Sequence, residues 1–107
     1  MENIKIQMRK GVMEYCVLAI LANGDSYAPA IIAELKNAEM IVVEGTLYPL
    51  LTRLKNAGYL TYRWEESIQG PPRKYYTLTT EGRSHLESLD EAWDTLVEQI
   101  NNIRNKH

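Results

Sequence analysis

Hydrophobic residues recur along the chain with a helical period in three segments. Residues 8–22 are apolar on nearly every side, which predicts the central helix of a small bundle. Residues 27–37 and 45–57 carry apolar side chains at i, i+3, i+4 and i+7, the spacing of a helix with one buried face. These stripes are Ala28, Ile31, Ile32 and Leu35 in the first segment, and Leu47, Leu50, Leu51 and Leu54 in the second.

A strand pattern replaces the helical period after Gly58. Residues 59–66 alternate and are rich in Tyr, Thr and Trp, so they predict a β-strand. Residues 73–78 predict the return strand, after a loop that contains a Gly-Pro-Pro sequence. We call this two-stranded ribbon, residues 59–78, the wing.

Several shorter features set the ends of these elements. Ser26 and Thr79 are predicted N-caps of the second and last helices, since a hydroxyl can accept a hydrogen bond from a free amide of the first turn. Residues 40–43 form a short β-like run before the third helix. Residues 1–7 are predicted to be a loosely docked arm.

The last helix, predicted over residues 80–105, has an apolar residue at alternating spacings of three and four. This is a heptad seam, which requires a facing helix, and a second copy of the chain is the simplest source of one. The predicted dimerisation residues are Leu86, Leu89, Trp93, Leu96, Ile100 and Ile103.

The order helix, helix, short strand, helix, ribbon predicts a winged helix-turn-helix. The fold class is therefore mainly α, an α+β fold with a three-helix core, a two-stranded wing and a long C-terminal dimerisation helix. We expect residues 1–79 to form a DNA-binding domain and residues 80–107 to form the dimerisation helix.

The chain as a whole is slightly acidic, with a net charge of −2, but its charge is unevenly distributed. Residues 45–79 carry five basic and two acidic groups, and both flanking segments carry more acidic than basic groups. A local basic patch can bind phosphate even when the whole protein is anionic. Within this patch, Glu65 and Glu66 are candidates to pair with Arg73 or Lys74.

Three sequence segments resemble the PadR-type transcriptional regulators. GTLYPLLTRLKNAGYL, residues 45–60, is similar to their recognition helix, and GPPRKYYTLTTEGR, residues 70–83, to their wing and the start of the helix after it. GDSYAPAIIAEL, residues 24–35, is similar to their second helix, although Ala28 and Pro29 replace the usual Gly-Tyr. The resemblance spans essentially the whole chain, and its compact length is similar to that of the shorter subgroup.

This resemblance implies a homodimeric bacterial repressor that binds a palindromic operator. The third helix would enter the major groove, the wing would lie along the adjacent backbone, and the C-terminal helix would form the dimer. In some members of the family, a planar effector binds between the subunits and weakens DNA binding.

The predicted DNA-binding residues lie on the third helix and on the wing. Amides at a helix N-terminus bind phosphate, hydroxyls can contact phosphates or base edges, and a cationic loop can hold the backbone or enter a minor groove. The set is Gly45, Thr46, Tyr48, Arg53, Lys55, Gln69, Gly70, Arg73 and Lys74. The residues alone leave two plainer interpretations open: a solvated helix face and a hairpin with solvent-exposed charges.

Trp93 is the most informative residue of the last helix. One interpretation places it in the dimer seam as a large apolar side chain. In the other, two copies form an aromatic slot for a flat ligand, to which Tyr15, Met8 and Met13 would add walls. The resemblance to the PadR-type regulators makes the second interpretation credible, since drug-responsive members of that family have an aromatic residue here, and both interpretations stay open.

No catalytic set is found, so an enzyme is not expected. His85 and His107 are the only histidines, no Cys/His cluster predicts a metal site, and no glycine-rich loop predicts a cofactor. His85 is expected to be exposed. The single Cys16 is expected in the core, and the apolar run around it is too short to span a bilayer, which together favour a cytoplasmic location. The alternative function is a winged-helix protein-interaction module without DNA binding, which the acidic pI favours.

Overall fold

The computed structural model describes residues 4–9 and 11–105. The elements in this part of the chain form a winged helix-turn-helix followed by one long helix, which confirms the predicted fold class. They are α1 (Ile4–Arg9), α2 (Met13–Ala22), α3 (Ala28–Asn37), α4 (Glu44–Asn56), β1 (Leu60–Glu65), β2 (Arg73–Leu78) and α5 (Thr80–Arg104).

The core lies where α2, α3, α4 and the inner ends of β1 and β2 meet. The apolar stripes predicted for α3 and α4 face it, apart from Ile32, which is only half-buried at its edge. The side chains that are most completely enclosed are Leu18, Ile31, Leu47, Leu51, Leu54 and Val17. Because four of the apolar residues of α4 are held in this core, the opposite face of that helix is fixed toward solvent.

The prediction of one helix over residues 8–22 is wrong. The chain forms two helices, which are separated at Gly11, whose φ of +90° lies in the left-handed region that favours glycine. Residues 4–7 of the predicted arm belong to α1, whereas residues 1–3 lie outside the described part of the chain. The side chain of Arg9 donates to the carbonyl of Glu39 at 3.1 Å and so attaches α1 to the α3–α4 connection.

Two predictions about the edges of α3 are also wrong. Ser26 does not cap the helix, because its backbone forms a β-bridge with Tyr76, and Tyr27 occupies the N-cap position without a side-chain bond. Residues 40–43 are not a strand. The strand-like contact of the helical part with the wing is therefore made at Ser26, just before α3, rather than at residues 40–43 after it.

The start of α5 is fixed to the wing by two close contacts. Thr79 is the N-cap, as predicted: its hydroxyl accepts from the Gly82 amide at 2.9 Å and donates to the Gly58 carbonyl at 2.7 Å. A Cβ at Gly82 would lie 2.1 Å from the carbonyl oxygen of Tyr59, so only glycine allows this approach. Leu86 is buried and Leu89 packs beside it, but residues 90–100 of α5 are exposed.

Candidate nucleic-acid interface

The solvent face of α4 carries the residues predicted for its DNA contacts. Gly45, Thr46, Tyr48, Arg53 and Lys55 are all exposed. The helical period places them on two sides, with Thr46 and Arg53 toward α2, and Tyr48 and Lys55 toward the wing. The groove-lining residues agree with this division, since Thr46 and Arg53 line one groove and Tyr48 lines another.

The centre of that face contains residues that the sequence analysis did not include in the site. Pro49, Thr52 and Asn56 are exposed and, with Gly45, follow a spacing of four, three and four residues opposite the buried stripe. Their helical phase alone identifies them, because they lie furthest from the leucines. Thr52 and Asn56 have the side-chain donors and acceptors with which proteins contact base edges.

A groove of about 500 Å³ separates the start of α3 and the side of α4 from the wing. It contains all four predicted wing residues together with Tyr48 of α4. Its lining residues are Tyr27, Ala28, Pro29, Tyr48, Trp64, Ser67, Gln69, Gly70, Pro71, Pro72, Arg73, Lys74 and Tyr76. Among these described residues there is no carboxylate, although the chain contains 14 acidic residues. The groove therefore combines aromatic walls with positive charge.

Aromatic rings position two cations of the wing, Arg73 and Lys74. The Lys74 ammonium lies 4.1 Å from the ring centre of Tyr62 and 5.8 Å from that of Trp64. The guanidinium of Arg73 lies 5.1 Å from the ring centre of Tyr27 on α3's N-terminal side. Such cation–π contacts restrict long side chains without neutralising them. Trp64, which is 63% exposed beside Lys74, is a further candidate contact that the predicted set of DNA-binding residues does not include.

The expected pairing of Glu65 or Glu66 with these two cations is not observed. Glu65 instead pairs with Arg63, at 3.1 Å, and Arg63 also donates to Asp25 at 2.5 Å. The hydrogen bond to Asp25 is the main cause of a raised pKa for Arg63. Glu65 therefore forms its ion pair with Arg63 and not with Arg73 or Lys74.

A second groove of about 500 Å³ lies between the start of α2 and α4. It contains Glu14, whose carboxylate approaches Arg53 at 3.8 Å and the Nε2 atom of His85 at 3.3 Å. His85 is half-buried rather than exposed as predicted, because its ring stacks on Tyr59 at 4.1 Å with planes 5° apart. These contacts connect α2, α4 and α5.

The structure brings together two of the four residues predicted for an effector site. The rings of Tyr15 and Trp93 lie 6.3 Å apart at an angle of 52°. The Tyr15 hydroxyl donates to Asp90, and this hydrogen bond is the largest cause of a pKa raised to about 12. Met13 lines the groove beside Glu14, and Met8 is exposed on α1.

The predicted dimerisation residues fall into two groups. Leu86 is buried in the protomer's own core and Leu89 packs against that core, so their burial requires no partner. From Trp93 onward, the apolar residues of α5 are exposed, and they include one that the seam omitted, Val97. This exposed stripe is Trp93, Leu96, Val97, Ile100 and Ile103.

The sequence model of the PadR-like family of transcriptional regulators matches residues 17–88. The chain belongs to this family. A PadR-like transcription factor from Bacteroides fragilis is 57% identical, with a TM-score of 0.80 over 95% of this chain and 99% of that one. A PadR-family regulator from Eggerthella lenta is 28% identical, with a TM-score of 0.89 over 97% of this chain and 91% of that one.

Bacillus subtilis PadR, whose structure was solved in complex with operator DNA, is 26% identical, with a TM-score of 0.68. That match covers 74% of this chain and 46% of the longer protein. An uncharacterised protein of Lysinibacillus sphaericus is 25% identical over 91% of this chain and 92% of its own length. The family is one of transcriptional regulators rather than enzymes. None of the helices within residues 4–9 and 11–105 combines the length and the hydropathy of a membrane-spanning segment.

Proposed function

We propose that this PadR-family regulator binds a palindromic operator as a homodimer and represses transcription from it. The observation that carries the proposal is the acid-free aromatic and cationic groove between α4 and the wing. The operator complex of Bacillus subtilis PadR supports the same use of the fold. A promoter occupied in this way is unavailable to the polymerase, and such a function places the protein in the cytoplasm.

In this proposal α4 enters the major groove. Gly45, Pro49, Thr52 and Asn56 face the base edges, because they lie opposite the helix's buried stripe. Thr46 and Arg53 contact the backbone on one side, and Tyr48 and Lys55 contact it on the other. Such contacts to phosphate fix the register, whereas contacts to base edges select the sequence.

The wing holds the adjacent strand of the backbone. Arg73 and Lys74 are held in place by aromatic rings, so little side-chain entropy is lost when phosphate binds. Gln69 and Gly70 at the wing's tip lie in the same groove and add polar contacts at the loop.

The dimer forms through the exposed stripe of α5. Five large apolar side chains are exposed along a helix that extends beyond the domain's core, and a second α5 would bury them. A two-fold axis through this contact gives two copies of α4 that are related by symmetry, which is the geometry that a palindrome requires.

An effector of the predicted kind would bind beside Trp93 and Tyr15. Asp90 and Asp94 are close enough to Tyr15 to raise its pKa, so the field at this site favours a planar cation. Saturable quenching of Trp93 by planar cationic dyes, measured after Trp64→Phe removes the second fluorophore, supports the site. A broad dye panel without quenching would count against it.

The function itself is tested with DNA from the promoter of the chain's own gene. We expect fluorescence anisotropy to give tighter binding to that fragment than to a scrambled duplex of equal length, with affinity that falls as salt is raised. A reporter fused to this promoter should be more active in a strain without the gene. Equal affinity for both duplexes would contradict sequence-specific binding.

A further inference from the structure

Glu14 is a carboxylate at the edge of the surface proposed to bind DNA. It lies in the first turn of α2 and lines the groove that Thr46 and Arg53 of α4 also line. Its side chain is 26% exposed, whereas that of Arg53 is 67% exposed. Glu14 is thus the more enclosed partner of the pair, and Arg53 is the more exposed one.

The two oxygens of Glu14 contact two different helices. Oε1 lies 3.8 Å from a terminal nitrogen of Arg53 on α4, and Oε2 lies 3.3 Å from Nε2 of His85 on α5. The His85 ring is itself fixed by stacking on Tyr59. This contact keeps the carboxylate directed toward α4 and α5, with Arg53 as the cation nearest to it on the DNA-facing side.

A phosphate at the edge of α4 would compete with Glu14 for the guanidinium of Arg53. Each cation that neutralises a phosphate releases condensed counterions, and this term is independent of DNA sequence. An arginine that must leave a carboxylate before it can contact phosphate contributes less of this counterion-release free energy to DNA binding. Contacts made by Thr52 and Asn56 to base edges are unaffected, because those residues lie on the centre of the face.

We propose that Glu14 is a positioning residue that holds Arg53 back from the DNA backbone and so limits affinity for non-operator DNA. The inference rests on the proposed function, since it requires α4 to bind DNA. It predicts a gain of binding when a carboxylate is removed, which is opposite to the usual result of altering an interface. Because the phosphate term is the same on every duplex, the restraint lowers affinity for operator and non-operator DNA alike, and only the operator, which adds base contacts, then binds tightly.

The test compares Glu14→Gln with the wild-type chain on random and own-promoter duplexes across a series of salt concentrations. The exposed ion pair is worth a modest amount, so we expect about two- to fivefold tighter binding to both duplexes. The slope of log K against log salt should become steeper by up to about 0.9, the contribution of one phosphate contact. Glu14→Asp, which keeps the charge but withdraws it from Arg53, should give a smaller gain of the same sign.

Two comparisons separate this mechanism from simpler ones. Glu34→Gln on α3 makes the same change in net charge away from both grooves and should leave the slope unchanged. In an Arg53→Gln background, Glu14→Gln should change DNA affinity and its salt slope no more than Glu34→Gln does in the wild-type chain. A gain that persists without Arg53, or weaker binding by a Glu14→Gln chain with wild-type helicity, would overturn the inference. Failure of the wild-type chain to bind any duplex would instead refute the proposed function.

Discussion

Replacing Leu96 and Ile100 together by alanine removes two apolar side chains from the exposed stripe of α5. These residues are 47% and 45% exposed in the protomer, so roughly half of each side chain remains to be buried by a partner. Full burial of such a side chain contributes about 1.5–3 kcal/mol, and half of it contributes about 1 kcal/mol. A symmetric dimer contains four of these side chains, which gives about 4 kcal/mol, or about a 1,000-fold weaker dimer.

Sedimentation velocity over a concentration series measures this dissociation constant directly. The matched control is Thr95→Ala with Asn102→Ala, which alters two exposed residues on the opposite side of the same helix. Circular dichroism should show unchanged helicity at a concentration where both variants are monomeric or both are dimeric. A dissociation constant that moves less than tenfold in the Leu96 and Ile100 variant, or equally in the control, would refute the assignment of this stripe to the dimer.

Three further predictions concern the wing, the start of α5 and the Tyr15 hydroxyl. Arg73→Ala with Lys74→Ala should flatten the salt slope of DNA binding by about 1.8, and an unchanged slope would remove the wing from the interface. Gly82→Ala should lower the free energy of unfolding, measured with urea, toward the upper end of about 1–3 kcal/mol, because its Cβ meets the Tyr59 carbonyl at 2.1 Å. Tyr15 should titrate near pH 12 by tyrosinate absorbance, and stability from its hydrogen bond, present below about pH 10, should be lost as pH rises toward 12. Tyr15→Phe should remove that titration, and a midpoint near pH 10 would contradict the bond.

Much of the fold follows from local signals in the sequence. The stripe of leucines in α4 determines which face is buried, and the Thr79 cap determines where α5 begins. These signals succeed because each is set by neighbours within one or two helical turns. The position of the leucines around the helix also identifies Thr52 and Asn56, because these two residues lie on the opposite, exposed face.

The errors occur where distant parts of the chain decide the outcome. From the sequence alone, Gly11 is compatible with a continuous helix. In the structure, its positive φ ends α1 and separates it from α2. Ser26 resembles an N-cap, but its backbone forms a pair of hydrogen bonds with Tyr76 of β2, a residue 50 positions away. From the sequence, His85 is predicted to be exposed. Its burial depends on contacts with Tyr59 and Glu14, which are distant in sequence.

The candidate site shows the same division. The residues of α4 and the wing could be identified individually from residue type and resemblance. Their electrostatic partners could not, since the pairing of Arg53 with Glu14 and the position of Lys74 among Tyr62 and Trp64 arise only after folding. The cations are therefore predictable from the sequence, whereas the groups that hold them are not.

The central claim is that two copies joined through α5 place two α4 helices on one palindromic duplex. Sedimentation of the chain with its own-promoter fragment, combined with hydroxyl-radical footprinting of the same complex, tests it most directly. The account predicts two chains per duplex and two protected half-sites whose centres lie about one helical turn, or a whole number of turns, apart. One chain per duplex, or a single protected site without a symmetric counterpart, would contradict it.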